Sequence, residues 1–347
     1  VNLAWTVRAC IRYAFALSLR LSGVFWRAEK QIRDRGGLVV LTFHRVLTAQ
    51  EFETTYSHPG IVVSRDCFRR MLGHIRNSCT PVRLSEAQPG HRLSKLGVVL
   101  TFDDGWKDNY TNAIPEAVAA GCPLTVMICP GLVGLEAPFW PERAIGILRQ
   151  VNPGWSMELV EVELERLKRL SEPDRDAWFS VMEQRAGQAG PDASTRCGST
   201  MSWDEIRETM GRGIEFGAHT QTHRILDTVG PEQAAEEIGE SKRCIEQELQ
   251  TRCNSFAYPN GNVTEEIARM VSAAGIALAV TTAPGVWTGE TDRLRIPRIN
   301  MSEDNVTGPG GRFSSTLFQY AVIWKAWRAW RAAEAQAGAA RLAAQRV

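Results

Sequence analysis

Short runs of apolar and β-branched residues recur along the chain, and several stop abruptly at residues able to do chemistry. Leu38-Val39-Val40-Leu41-Thr42-Phe43 ends in His44-Arg45, and Gly97-Val98-Val99-Leu100-Thr101-Phe102 ends in Asp103-Asp104-Gly105. Residues 124–128 and 214–218 form two further runs, the second ending in His219; weaker ones cover 255–258 and 278–282, and 295–299 closes the series. Continuous apolar runs of this length suit strands buried on both faces of a parallel sheet. Helical spacing appears between them, over residues 67–75, 114–120, 232–249 and 264–274. Strands alternating with helices predict an α/β fold. Polar residues just past the strand ends predict a distorted (β/α) barrel with its site at the C-terminal face of the strands.

Three stretches depart from this rhythm. Leu3, Val7, Cys10, Ala14, Leu17, Leu21 and Val24 recur at spacings of three and four, with Arg8, Arg12 and Arg20 off the stripe. This reads as an amphipathic helix that Gly36-Gly37 brings to an end. Residues 135–200 are charge-rich and helical from Phe139-Trp140-Pro141 to Arg185, then polar from Gly187 to Ser199, which suggests a helical insertion serving as a lid or partner surface. Near the other end, Tyr320, Ile323, Trp324, Trp327 and Trp330 share one helical side, with Lys325 and Arg328 opposite. Such a helix suits a membrane interface, or it packs on the barrel with its aromatics inward. The expected organisation is a basic N-terminal helix over 1–36, a barrel over 37–311 carrying the 135–200 insertion, and a basic, Trp-rich C-terminal helix over 312–347.

Charge sharpens the picture of the ends. The net charge is +1, yet residues 1–36 carry seven Lys/Arg against two Asp/Glu, and residues 318–347 carry five against one. The ends therefore hold +5 and +4, leaving −8 for the body. Basic ends on an acidic body point to contact between the ends and an anionic surface such as a membrane, or to two solvated helices; no nucleic-acid partner is expected. None of the eight cysteines forms a C-x-x-C pair, so zinc ribbons and thioredoxin-type motifs are excluded and free thiols in a reducing compartment are expected. Arg20 interrupts the apolar stretch 14–26, no cleavage site follows it, and no run approaches 18 apolar residues. The expected location is cytoplasmic, with peripheral contact at the inner membrane face.

Asp103-Asp104-Gly105 is the most informative segment. Two adjacent carboxylates at a strand end are costly to bury without a cation or a proton, although alone the segment also reads as a turn. Gly217-Ala218-His219-Thr220-Gln221-Thr222-His223 places two imidazoles four residues apart, again past a strand end. Together the segments match the T-F-D-D-G and H-[ST]-x-x-H motifs of the NodB-homology polysaccharide deacetylases, carbohydrate esterase family four, which the chain resembles over roughly residues 38–300. Asp104 and His219 lie 219 − 104 = 115 positions apart. That gap is longer than the family usually shows, and the insertion accounts for it.

The resemblance implies an Asp104, His219, His223 triad holding a divalent metal, with zinc the best match to the donors. It implies Asp103 as the base that activates water. Phe256-Ala257-Tyr258-Pro259-Asn260-Gly261 resembles the F-A-Y-P-[YF]-G segment of exopolysaccharide-linked members, so Tyr258, Pro259 and Asn260 fall at the oxyanion and substrate wall, with the Asn260 N–H as the matched donor. The family's final L-x-L-x-H motif is absent, and no His follows His223. Arg298 stands in its region, placed either to orient Asp103 or as a rim residue. His44 is the candidate general acid, provided the first and last strands are neighbours. His58, His74 and His91 read as surface residues. The implied reaction removes N-acetyl groups from amino sugars of a polysaccharide or lipid-linked saccharide. The alternatives are an O-acetyl esterase acting on glycans and a non-catalytic glycan-binding barrel.

Overall fold

The predicted N-terminal stripe becomes two helices rather than one. In the structure, a computed structural model that describes residues 3–136, 139–187 and 198–344 (side chains at 3–6 and 340–344 excepted), α1 spans Leu3–Leu21 and α2 spans Val24–Asp34. The break falls at Gly23, whose φ of 74° is one that only glycine adopts without a Cβ penalty. The chain then turns at Gly36, where a Cβ would collide with the backbone of Gly90, and enters β1 (Leu38–Phe43).

From there strands and helices alternate as expected. β2 (Arg45–Leu47), α3 (Ala49–Thr54) and β3 (Val62–Ser64) form a small side unit, followed by α4 (Arg65–Ser78), β4 (Cys79–Val82), β5 (Leu96–Phe102), α5 (Ile114–Ala120) and β6 (Leu124–Ile128). The insertion holds three helices, α6 (Trp140–Val151), α7 (Met157–Lys168) and α8 (Glu172–Ala186). They bury a core of their own, centred on Ile145, Leu148, Val160, Leu164 and Phe179. The polar stretch expected from Gly187 to Ser199 lies almost wholly outside the described residues, as does Cys197. The frame resumes with α9 (Trp203–Thr209), β7 (Ile214–Ala218), α10 (Pro231–Leu249), β8 (Ser255–Ala257), α11 (Glu265–Ala273) and β9 (Leu278–Val280). β10 (Ile299–Asn300), α12 (Glu303–Val306), α13 (Ser315–Gln319) and α14 (Ala326–Ala344) complete it.

The main sheet runs β10-β1-β5-β6-β7-β8-β9, every pairing parallel, and curls into a distorted barrel. β1 and β5 pair along their full length, from Leu38 opposite Gly97 to Phe43 opposite Phe102. Both are buried at every position, which is why their sequences run continuously apolar instead of alternating. The last expected strand is much shorter than the 295–299 run suggests. Only Ile299 pairs within that run, while Ile296 makes a single bridge to Val280, because Pro297 has no N–H to donate. The pairing of β1 with β10 meets the condition set for His44.

The aromatics of the C-terminal segment face inward. A π-helical turn at Tyr320–Lys325 links α13 to α14, Ile323 and Trp330 are buried, and Trp327 donates from Nε1 to Gln31 Oε1 on α2 at 2.8 Å. The membrane-facing alternative for this Trp side is thereby corrected: burying these rings against α2 and the barrel removes more apolar area from water than an outward orientation would. The seven cysteines among the described residues are unpaired, and no described helix is long and apolar enough to cross a membrane.

α4 and α5 are joined by Glu116, which accepts from Arg65 and Arg69 at 2.8 Å. The Arg69 hydrogen bond, with help from Arg65, brings the Glu116 pKa down to about 2. A carboxylate whose folded pKa lies below its unfolded value adds stability that is complete above pH 4.5 and is lost as pH falls toward 2. Glu116→Gln is therefore expected to cost about 1 kcal/mol at neutral pH. Urea titrations across pH should show the gap between variant and wild type closing below pH 4.5.

Candidate active site

The C-terminal ends of β5 and β7 each release the chain into a left-handed backbone turn. Asp104 follows β5 with φ 77°; Thr220 and His223 follow β7 with φ 62°; Asn260, past β8, has φ 59°. Of the five described non-glycine residues with such a φ, four belong to this one site; the fifth, Gln250, caps α10. Conformations of this kind cost of order 1 kcal/mol each and persist where the surroundings hold them. Here Glu237 of α10 holds the His219–His223 loop, accepting from Thr222 N at 2.8 Å and Thr222 Oγ1 at 2.7 Å.

The turns aim three donors at one point. Asp104 Oδ1 lies 3.5 Å from His219 Nε2 and 3.3 Å from His223 Nε2. A tetrahedral cation with bonds of about 2.0–2.1 Å sets its ligand atoms about 3.3 Å apart, so these spacings fit such an ion. Each donor is fixed from behind. His219 Nδ1 meets the Ala257 carbonyl at 2.7 Å, which leaves Nε2 to present its lone pair, and Trp106 Nε1 donates to Asp104 Oδ2 at 2.8 Å. The Phe139 ring packs edge-on against His223 with centroids 5.1 Å apart. Burial alone would push the Asp104 carboxyl up, but the His219 and His223 imidazoles facing it hold it well below the ordinary range. Asp104 Oδ1 is buried and has no hydrogen-bond partner, as expected of an atom shaped to bind a cation.

Asp103 is set differently. Its carboxylate takes both arms of Arg298, Nη1 to Oδ1 at 2.7 Å and Nη2 to Oδ2 at 2.6 Å. Arg298 is fully buried and also donates to Thr101 Oγ1 at 3.1 Å and the Thr281 carbonyl at 2.9 Å. It is therefore not a rim residue. Burial opposes ionisation of Asp103, yet the Arg298 guanidinium outweighs it and keeps the pKa low.

His44 enters from the end of β1, with Nε2 3.9 Å from Asp103 Oδ2. Burial holds its pKa below the usual imidazole value, against the pull of Asp104 and Asp103. Its strap is anchored by residues that sequence reasoning passed over. Arg45 bonds Asp108 at 2.9 Å and lies 4.3 Å over the Trp106 ring, Asp108 also accepts from Val46 N at 2.8 Å, and Asn109 donates to the His44 carbonyl at 2.7 Å. Trp106, Asp108 and Asn109 closely follow the Asp-Asp-Gly segment, and that proximity was the available signal.

Asp103, Asp104, His44, His219, His223, Tyr258 and Asn260 all border one cavity of about 340 Å³. The expectations for Pro259, His58 and His74 need correction here. The Tyr258 hydroxyl faces away from the site and donates to the Leu294 carbonyl at 3.0 Å, so only its ring serves the wall. Pro259 does not border the cavity; it opens the turn that presents Asn260. His58 is not a surface residue either: it lines the cavity and accepts from Gly60 N through Nδ1 at 3.0 Å. His74 is half-buried against Phe318, and His91 alone of the three is exposed. The insertion roofs the cavity with Phe139, Trp140, Glu142, Ile145 and Leu164. Burial, with the negative charge of Asp104 adding to it, raises the Glu142 pKa to about 8.

Comparison with known proteins follows the same outline. A family model described as polysaccharide deacetylase matches residues 91–279, more than half of the chain. YxkH of Bacillus subtilis (strain 168), assigned as a polysaccharide deacetylase, is 25% identical over 99 residues, covering 28% of this chain and 36% of that protein. The chain thus spans only about a third of the curated relative it matches. Among solved structures, IcaB from Ammonifex degensii superposes with a TM-score of 0.54 at 20% identity, over 84% of this chain and 98% of that one. The Streptococcus pyogenes deacetylase PplD, in complex with acetate, gives 0.52 at 17% identity, over 79% and 96%. At these identities the two structures speak for the fold alone.

Proposed function

The chain belongs to the polysaccharide deacetylase family, and from that premise we propose that it is a metal-dependent hydrolase removing N-acetyl groups from amino sugars of a polysaccharide or lipid-linked saccharide. One observation carries the reading. Three cation donors converge on one side of the cavity floor while a separately oriented carboxylate, Asp103, stands beside them.

Asp104, His219 and His223 would hold the divalent ion, and two imidazoles with one carboxylate suit zinc. When bound, the ion supplies Lewis-acid polarisation of the acetyl carbonyl and a more acidic water. The remaining work falls to the chain's own groups. Arg298 keeps Asp103 ionised and fixes the plane of its carboxylate, so Asp103 can take a proton from the attacking water. His44, held neutral by burial, then receives that proton once the 3.9 Å separation closes to hydrogen-bond length, and delivers it to the leaving nitrogen as the C–N bond breaks. The balance is one water consumed, one acetic acid and one amine formed, with both side chains restored. The backbone N–H of Asn260 supports the developing oxyanion from the facing wall. The roof of Phe139, Trp140 and Leu164 limits the entry of further water.

The test is release of acetate from a panel of N- and O-acetylated saccharides by the metal-loaded protein, run with wild type and His44→Ala. N-acetylated substrates should release acetate, and His44→Ala should lower kcat on them by about 100-fold. An activated ester such as p-nitrophenyl acetate, whose leaving group needs no proton, should be turned over nearly unchanged by the variant. Equal losses on both substrates would remove His44 from the acid role. Acetate release only from O-acetylated saccharides would change the bond assigned, and no release from any substrate would favour a glycan-binding barrel.

A further inference from the structure

The side of α1 that the structure leaves open is its apolar side. Val7, Cys10, Ile11, Ala14, Phe15 and Leu21 stand at relative positions 0, 3, 4, 7, 8 and 14, one helical face, and all are exposed, Ile11 by 66% and Leu21 by 78%. Ser18 is the polar residue on that face, and its hydroxyl folds back onto the Phe15 carbonyl at 2.8 Å. Trp26, just past the Gly23 break, is 65% exposed as well. The opposite face does the docking. Ala9 and Ala16 are buried, Tyr13 and Leu19 pack with Phe25 and Leu317, and two arginines bond to the body of the protein, Arg12 to the Thr307 carbonyl at 3.2 Å and the exposed Arg20 to Thr316 Oγ1 at 2.8 Å. α1 is thus apolar on its open side as well as on its docked side, whereas a surface helix ordinarily turns polar residues outward.

An open apolar face of this extent calls for a partner. The charge around it selects which. Residues 1–36 carry +5 in a protein of net +1, and Arg8 and Arg27 are exposed near the apolar face. A cation-flanked apolar helix surface with an exposed Trp matches the interface of a bilayer rich in anionic lipid. We propose that α1, with Trp26 at the start of α2, seats this protein on the surface of an anionic lipid bilayer, lying in the plane of the interface. No spanning segment is needed for this attachment. Arg8 lies within electrostatic reach of Glu158 on α7, the insertion helix whose Leu164 and Lys168 line the cavity.

The inference stands apart from the chemistry of the active site, and its test needs no turnover. The full chain is sedimented with vesicles of equal parts phosphatidylglycerol and phosphatidylcholine, and with phosphatidylcholine alone. Wild type should bind the anionic vesicles, release at high salt and bind the neutral ones weakly. Ile11→Ser/Leu21→Ser should lower the partition coefficient about 100-fold, from the lost burial of two large apolar side chains. Arg8→Gln/Arg27→Gln should lower it about tenfold on the anionic vesicles only. All four positions are exposed, so circular dichroism and the thermal unfolding midpoint should stay at wild-type values. Failure of wild type to sediment, or equal sedimentation with both vesicles, would overturn the proposal. So would a wild-type dimer in analytical ultracentrifugation that Ile11→Ser/Leu21→Ser converts to monomer, since the face would then belong to a second copy of the chain.

Discussion

Replacing Asp103 by Asn is expected to lower acetate release by about three orders of magnitude and to destabilise the fold at the same time. The first effect follows from removing the group that takes the proton from water. The second follows from Arg298. Its guanidinium is fully buried and gives two short bonds to the Asp103 carboxylate, with only Thr101 Oγ1 and the Thr281 carbonyl as further acceptors among the described residues. Breaking a buried pair by neutralising one partner leaves an uncompensated charge, which typically costs about 3–5 kcal/mol. Asn retains one oxygen able to accept from Arg298, so the loss should fall toward the lower end of that range. Asp103→Asn/Arg298→Met should then recover part of the stability and none of the activity, because Met removes the stranded charge without restoring a base. Thermal unfolding and acetate release measured on the same preparations separate the two effects. Full turnover in Asp103→Asn would eliminate it as the base, and an unchanged unfolding midpoint would eliminate the Arg298 pair as a structural tie.

The second large effect is expected at the cation. His219→Ala should weaken zinc binding by well over 100-fold, the upper bound for losing a group that only supports a ligand. His219 contributes a donor atom at Nε2 and a bond to the Ala257 carbonyl at Nδ1, so its removal also releases the end of β7 from the end of β8. Trp106→Phe provides the graded comparison. It removes only the indole N–H that holds Asp104 Oδ2, and should cost about tenfold. Equilibrium dialysis against zinc gives both values without reference to turnover. Treatment with a chelator should abolish acetate release by wild type, and added zinc should restore it. Equal affinity in wild type and His219→Ala would exclude this triad as the binding site.

Both predictions draw on residues with different visibility in the sequence. The strand carrying Asp103 was legible because a buried parallel strand is apolar along its whole length, so the run ends where the strand ends; the strand before His219, with Glu215 inside it and two half-buried positions, gave a weaker form of the same signal. The candidate donors were legible because the Asp-Asp-Gly and His219–His223 segments together match the motifs of the family the chain resembles, whereas each segment alone also reads as a turn or a packed pair. Arg298 was only half legible. Its position near the last strand was visible, but not that it would reach across 195 positions to grip Asp103. The anchoring of His44 by Arg45, Asp108 and Trp106 was not seen at all, because each of those residues alone reads as an ordinary polar or aromatic position. The roof was underread for a similar reason. The insertion's helices were expected, but nothing local said that Phe139 would meet His223 or that Glu142 would be buried beside Asp104.

The terminal helices mark the division most plainly. Periodicity told that the N-terminal stripe from Leu3 to Val24 and residues 318–331 would be helical and which side of each would be apolar, since a 3.6-residue repeat is a property of the segment itself. It could not tell which side would be covered. The Trp side of the C-terminal segment turned inward because α2 lies against it, with Gln31 meeting the Trp327 N–H. The apolar side of α1 stayed open because Ala9 and Ala16, together with Arg12 and Arg20, fit the surface offered around Thr307 and Thr316. By itself, then, the sequence determined the order of strands and helices, the apolar face of each and the identity of the candidate cation donors. The tertiary structure decided which faces met, which charges were paired across the barrel, and which apolar surface was left for a partner, because those outcomes depend on what the rest of the chain brings alongside.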